Sequence, residues 1–356
     1  MKENLLIANK FKIIGDVIKI EKFGNGLINK TYCIETTKEK YILQEINNYV
    51  FKKIDLLMEN IYTVTKYIKK KKGNTLELVK TKNNELILHY KGKVFRCYKM
   101  KEKSRSFENL EDNHLALKIG KIMSSFQYDL VELDHQSIYQ TIEFFHDLEH
   151  RYIDLVKAYR YCDVKSKKVE TIKMFCDILN QYNQIMVLPN LIKNNKIPKR
   201  ICHYDTKLNN FLFVENGQDC LIDLDTVMPG CSIYDYGDCA RNIIVNVKED
   251  ESESDICINY KRFIFLTIGY LSVGKNYLHK IEIENLINSI KVITLELSIR
   301  FLTDYLDGDL YFSVVDDKQN LRRALCQYNI YKKFLEEEDK LKLITNMIYE
   351  RLTIIN

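Results

Sequence analysis

The stretch His203-Tyr-Asp-Thr-Lys-Leu-Asn-Asn210 constrains this chain more than any other. Apolar Ile201-Cys202 precedes it and Phe211-Leu-Phe-Val214 follows. A second apolar run, Cys220-Leu-Ile222, ends in Asp223-Leu-Asp225. The pattern predicts a polar loop between short strands, with a carboxylate at a strand end 18 positions after Asp205. A polar hairpin loop would account for any one of these residues. Four distinct groups at compatible spacing match what phosphoryl transfer requires. Asp205 can accept the proton of an attacking hydroxyl, and Lys207 can neutralise a γ-phosphate oxygen. Asn210 and Asp223 offer hard oxygen ligands to Mg²⁺ between the phosphates. Asp225, two residues on, could bind a second ion or the substrate. His203 could be a metal ligand or base, but a structural histidine bonded to nearby backbone is the expectation.

These residues carry a resemblance. His203 to Asn210, Ile222-Asp-Leu-Asp-Thr-Val-Met-Pro-Gly230 and Tyr234-Asp-Tyr-Gly-Asp238 resemble the aminoglycoside phosphotransferase/choline kinase superfamily. Within it they are most similar to the N-acetylhexosamine 1-kinase branch. Phe23-Gly-Asn-Gly-Leu-Ile-Asn29, Tyr41-Ile-Leu-Gln-Glu-Ile-Asn47, Phe144-Phe-His-Asp147 and Arg300-Phe-Leu-Thr-Asp-Tyr-Leu-Asp-Gly-Asp309 resemble that branch too, so the likeness runs from about residue 12 to about 350. It implies ATP and Mg²⁺ as cofactors and the anomeric 1-hydroxyl of an N-acetylhexosamine, or a related sugar, as acceptor.

Composition narrows the rest. A chain of 356 residues suits a bilobal protein or two modest domains. With 46% hydrophobic and 29% charged residues it is ordinary for a globular protein. The net charge of +5 is thinly spread, and the one dense run, Lys69-Lys-Lys-Lys72 before Gly73-Asn74, reads as a solvated helix end. Neither a nucleic-acid nor a membrane partner is expected. The ten cysteines include no C-x-x-C pair and sit mostly in apolar runs, the pattern of buried, reduced thiols. No signal peptide and no apolar run of membrane-spanning length is present, so a cytoplasmic location is expected. The protein is expected to be a monomer or homodimer.

Read in order, Val17-Ile-Lys-Ile20, Thr31-Tyr-Cys-Ile34 and Tyr41-Ile-Leu43 predict three strands. The turn containing Gly24, Asn25 and Gly26 suits a flap over nucleotide phosphates, because glycine lets backbone approach closely. Kinases place a phosphate-holding lysine on the third strand. Here that position is Gln44, as in the hexosamine-kinase branch, so the source of the neutralising charge is open. Helical spacing over residues 56–68 turns Glu59 inward, where it could orient a phosphate-binding partner, or leaves it an ordinary exposed charge. Three further strands follow, at Leu76-Glu-Leu-Val79, Leu86-Ile-Leu-His89 and Val94-Phe-Arg-Cys-Tyr98. Adenine is expected against the backbone near Tyr98, Lys99 and Met100.

From residue 108 the periodicity is helical, with Pro189 and Pro198 bracketing a loop before the central motif. Asp235 or Asp238 should cap a helix and prop that motif. Asp304-Tyr-Leu-Asp-Gly-Asp-Leu-Tyr311, between two helical regions, is by residue type a surface turn. By resemblance it belongs to the sugar pocket, with Arg300, Asp304 and Tyr311 as contacts. The expected architecture is α+β, a bilobal protein-kinase-like fold. A small antiparallel-sheet lobe for the nucleotide spans 1–98, a hinge 99–106, and a larger, mostly helical catalytic and substrate-binding lobe 107–356. Rival readings are a kinase of another small alcohol such as choline or an aminoglycoside, a nucleotide-binding pseudokinase suggested by Gln44, and a nucleic-acid binder suggested only by charge.

Overall fold

The computed structural model describes every residue except 1, 25–27, 111, 248, 252–254 and 355–356. The chain forms two compact units. The first comprises residues 1–107, 129–143 and 209–229, and the second 108–128, 144–208 and 230–356.

In the first unit a short helix α1 (Lys2–Ala8) leads to strands β1 (Val17–Lys22), β2 (Lys30–Thr36) and β3 (Lys40–Ile46). Helix α2 (Ile54–Lys70) follows, then β4 (Glu77–Val79), β5 (Leu88–Tyr90) and β6 (Lys93–Lys99). The sheet runs β1-β2-β3-β6-β4, and β5 shares the outer edge of β6 with β4. Every pairing is antiparallel. Alternation divides the sheet into two faces. Tyr41, Leu43, Phe95 and Cys97 point to one, where they bury against Ile7, Ala8 and Phe11. Gln44 and Arg96, at the intervening positions, point to the other. Arg96 meets Met58 of α2 there, its Nη1 3.9 Å from the sulfur. Short strands β7 (Ser104–Arg105), β9 (Phe211–Val214) and β10 (Cys220–Leu221) form a second antiparallel sheet, with β9 in the middle. The lysine run at 69–72 is a helix end, as expected. Lys69 and Lys71 pair with Glu77 and Glu132, and the chain turns at Lys72, φ 63°.

The second unit is built on helices. These are α3 (Asn113–Asp129), α4 (Leu148–Tyr161), α5 (Lys165–Asn180), the short α6 (Tyr182–Ile185) and α7 (Val187–Lys193), α8 (Ile233–Ile243), α9 (Tyr260–Gly274), α10 (Lys280–Glu284), α11 (Leu286–Asp307), α12 (Gln319–Glu336) and α13 (Glu338–Ile354). Strand β8 (Arg200–Cys202) enters the central motif. Helix α11 is buried around nearly its whole circumference, which its continuous apolar sequence dictates. It packs on α12, α8 and α4. Where α8 crosses it, Gly237 permits the approach: a Cβ there would stand 2.6 Å from the Ser289 carbonyl oxygen.

Two expectations need correction. Pro189 lies inside α7 rather than in a loop; it sits in the first turn, where its missing N–H would have no helical partner anyway. Glu59 is exposed, because the buried stripe of α2 runs through Leu57, Met58, Asn60, Ile61 and Val64. Among the described residues, no helix is long and apolar enough to cross a membrane.

The α8–α11 contact yields a measurable outcome. Gly237→Ala should lower stability by about 1–3 kcal/mol in urea denaturation, because overpacking against backbone outweighs alanine's helical preference. Lys118→Ala, on the exposed face of α3, should stay within about 0.5 kcal/mol of the parent.

Candidate active site

The sequence-predicted residues divide between the two units. In the first unit, β2, β3 and β6 align a polar ladder on the α2 face. Thr31 lies opposite Gln44, and Gln44 opposite Arg96. Gln44 Nε2 donates to Thr31 Oγ1 at 3.1 Å, and Gln44 Oε1 accepts from Arg96 Nε at 2.9 Å. The two Nη nitrogens of Arg96 clasp Asp225, Nη2 to Oδ2 at 3.0 Å and Nη1 to Oδ1. Asn29 Nδ2 donates to Asp225 Oδ2 at 2.8 Å, and Asn29 Oδ1 accepts from the Asn47 amide. Arg96 is 1% exposed and Asp225 3%. Burial opposes the charge on Arg96, but Asp225 beside it holds its pKa above the usual arginine range. Asp225, which by its place in the sequence could bind a second ion or the substrate, has both oxygens engaged by Arg96 and Asn29.

Asp223, two residues earlier, is exposed and sits in the left-handed region at φ 59°, a conformation that aspartate tolerates better than most residues. Asn210 is buried just before β9, and its carbonyl accepts from the Ile222 amide at 2.9 Å. The β9–β10 hairpin thus brings Asn210 beside Ile222-Asp223. One amide and one carboxylate oxygen suit Mg²⁺, which is commonly held by one or two protein ligands together with substrate phosphates. Among the described residues no cluster of three His, Cys, Asp or Glu is arranged to hold a metal by itself. Gly24 has φ +69°, while Asn25 and Gly26 lie outside the described residues. Tyr98 is buried in β6, and the Met100 amide donates to the Lys40 carbonyl at 2.9 Å.

In the second unit the motif loop is held by carboxylates of α8. Asp235 accepts from the amides of His203 and Tyr204 at 3.0 and 2.8 Å, and from Gln127 Nε2 at 2.8 Å. Asp238 accepts from the Thr206 amide at 2.8 Å and pairs with Arg241. The expectation of support is met, but not by a cap. The residue preceding α8 is Ser232, without a side-chain cap, and both aspartates are buried inside the helix. Burial pushes Asp235 above the ordinary carboxylate range. Burial acts the same way on Asp238, but Arg241 and His146 bring it below that range.

His203 is fully buried against Phe126, and its Nδ1 accepts from the Asp205 amide at 3.3 Å, the structural role. Lys207 Nζ lies 2.7 Å from Asp205 Oδ2. Tyr204 has φ 67°, and its hydroxyl fills the space where a Cβ on Gly230 would stand, 1.4 Å away. Sequence reasoning missed His146. Its Nδ1 lies 2.8 Å from Glu296 Oε2 on α11, and its Nε2 3.4 Å from the Tyr204 carbonyl, one residue before Asp205. Burial disfavours the imidazolium, but Glu296 overrides it and raises the His146 pKa. Burial likewise opposes the Glu296 carboxylate, and His146 overrides that too.

At the end of α11, Arg300 packs over the rings of Tyr311 and Phe312, 5.8 and 5.3 Å from their centroids. Tyr311 is 71% exposed. Asp304 is buried: it accepts from the amides of Leu310, Tyr311 and Phe312 at 3.0, 2.8 and 2.9 Å and from Asn320 at 2.9 Å. The structure brings these three sequence candidates together, with Asp304 shaping the loop that carries Tyr311.

Residues 170–260 match the phosphotransferase enzyme family. Similar solved structures include an aminoglycoside phosphotransferase from Alicyclobacillus acidocaldarius, 12% identical over 97% of this chain and 95% of that one, TM-score 0.63. The choline kinase of Streptococcus pneumoniae is 12% identical over 94% and 100%, TM-score 0.55. A microcompartment-associated aminopropanol kinase is 11% identical over 96% and 98%, TM-score 0.64. At such identities the likeness is one of fold: the chain has the α+β, protein-kinase-like fold of these enzymes.

The His146–Glu296 pair predicts a pH signature. A raised histidine pKa gives stability fully present below the unfolded value of about 6.5 and lost as pH rises through the folded value. A lowered Glu296 pKa gives stability present above about 4.5 and lost on further acidification. Glu296→Gln should therefore destabilise most between about pH 4.5 and 6.5, and less as pH rises beyond, in urea titrations at several pH values.

Proposed function

We propose that this protein is a Mg²⁺-dependent kinase that transfers the γ-phosphate of ATP to a hydroxyl of a small molecule. The observation that carries the reading is the motif loop itself. Asp205 and Lys207 are paired and partly exposed, while the surrounding backbone amides are fixed by Asp235 and Asp238. Such a loop fits a task of positioning and charge neutralisation, which is most of what phosphoryl transfer asks of a protein. Asp205 takes the proton from the acceptor hydroxyl. Lys207 neutralises a γ-phosphate oxygen. Asn210 and Asp223 would hold Mg²⁺, which would offset the negative charge of the phosphates during transfer. The fold-related choline kinase has also been solved in complex with AMP, which supports an adenine nucleotide as donor.

The acceptor we propose is the anomeric hydroxyl of an N-acetylhexosamine or a related sugar, on the resemblance of the 222–230 and 300–309 segments. Residue chemistry supports a neutral acceptor over a cationic one. The Arg300 guanidinium beside Tyr311 and Phe312 sets a positive charge where a choline-like amine would have to lie against those rings. Arg300 and Tyr311 supply a donor and a ring surface for a sugar, on a loop set by Asp304.

Purified protein with Mg-ATP should phosphorylate an N-acetylhexosamine in a panel that includes aminoglycosides, choline and ethanolamine. The product should be non-reducing and labile to mild acid; a reducing, acid-stable product overturns the 1-phosphate assignment but not the kinase. Asp205→Asn should lower kcat by at least about 10²–10⁴-fold with ATP affinity kept, and a near-normal rate would exclude Asp205 as base. Arg300→Ala and Tyr311→Ala should raise the KM for the sugar far more than that for ATP, checked by varying each substrate separately.

A further inference from the structure

Phosphoryl transfer needs a fixed cation against the nucleotide phosphates. In protein kinases it is a third-strand lysine, held by a glutamate of the neighbouring helix. The first unit has neither member at those places: β3 carries Gln44, and α2 turns Glu59 outward. The helix turns Asn60 inward instead, and its amide is spent on the carbonyls of Tyr139 and Val227. A cation and a carboxylate stand one strand away. Arg96 on β6 lies directly opposite Gln44, on the same face, and is clasped at both Nη nitrogens by Asp225.

We propose that Arg96 and Asp225 replace the lysine–glutamate pair, with Arg96 the cation presented to the triphosphate and Asp225 the residue that positions it. The proposal rests on the kinase reading above. Three observations carry it. First, the glutamine and the arginine are complementary. Gln44 Oε1 accepts from Arg96 Nε, whereas a lysine at 44 would set two cations against each other. The apparent defect on β3 is thus the condition for a charge on β6. Second, Asp225 follows Asp223 by two residues, so the carboxylate that clasps Arg96 is joined through one intervening residue to the carboxylate proposed to hold the metal of the triphosphate. Third, a pair this deeply buried is a poor source of stability, because desolvating two ions offsets most of their attraction, and apolar residues of similar size often serve as well. Asp225 covers the Nη edge. A phosphate reaches that edge by displacing one carboxylate oxygen, and the planar fork suits a phosphate as it suits a carboxylate.

The test is binding, not turnover. Affinities of the full chain for ATP and for adenosine are measured by calorimetry in MgCl₂. The Arg96→Met/Asp225→Leu chain removes the pair without stranding either charge. It should bind ATP about 10- to 100-fold more weakly than the parent, the loss of a charge-assisted contact, with adenosine affinity kept. Adding Gln44→Lys to that chain should recover much of the ATP affinity. A double variant that keeps its preference for ATP, or that loses ATP and adenosine equally, overturns the proposal. If it does not fold, Arg96→Lys decides: the charge stays but the fork is lost, and ATP should weaken while adenosine does not. Equal ATP affinity in that variant overturns the assignment. A parent chain that binds neither ligand refutes the kinase reading itself, which separates the two failures.

Discussion

Buried carboxylates that accept hydrogen bonds from a loop's own backbone organise the second unit. Asp235 and Asp238 lie one helical turn apart on α8 and take the amides of His203, Tyr204 and Thr206. An ion buried in this way tolerates no neighbour that fails to satisfy it, so the loop has little freedom to adopt another path. The left-handed Tyr204 is a consequence. Its backbone is overdetermined by Asp235 on one side and His146 on the other, and its ring is packed against Gly230. The helix is located in turn by its glycine contact with α11, so the path of the motif loop is set by a helix crossing.

The same economy governs the first unit. A cross-strand ladder of Thr31, Gln44 and Arg96 ends on Asp225, and each member satisfies the next. Its charged end, Arg96 and Asp225, is almost wholly buried. The arginine's field is therefore felt at short range and is only weakly screened by salt.

Much of this was legible in the sequence. The strands of the sheet, the helical character after residue 108 and the motif between short strands follow from period, turn residues and residue chemistry. What was not legible has physical causes. Glu59 was misplaced because one step of helical rotation, 100°, decides whether a residue is inside, and apolar spacing fits more than one phase. The aspartates of α8 were read as caps because a carboxylate near a helix start usually bonds its own helix. Here they bond a segment some 30 residues away, a contact that no local pattern encodes. Arg96 did carry a signal, a charge inside the apolar run Val94-Phe-Arg-Cys-Tyr98, but its partner lies 129 residues on. Asp225 was given to a ligand because its proximity to Asp223 in sequence was visible and its ion pair was not.

The way Asp304 holds its loop bears on how such a protein can change. Its oxygens grip the amides of residues 310 to 312, and Asn320 joins the same carboxylate. A backbone amide is common to every amino acid but proline, so the grip is indifferent to the side chains it supports. Residues such as Leu310, 83% exposed, and Tyr311 can therefore be replaced without disturbing α11, whose burial carries the unit. Under the proposed function, recognition and chemistry are thereby uncoupled in inheritance: the loop proposed to meet the acceptor can drift toward new molecules while the motif loop held by Asp235 and Asp238 stays as it is.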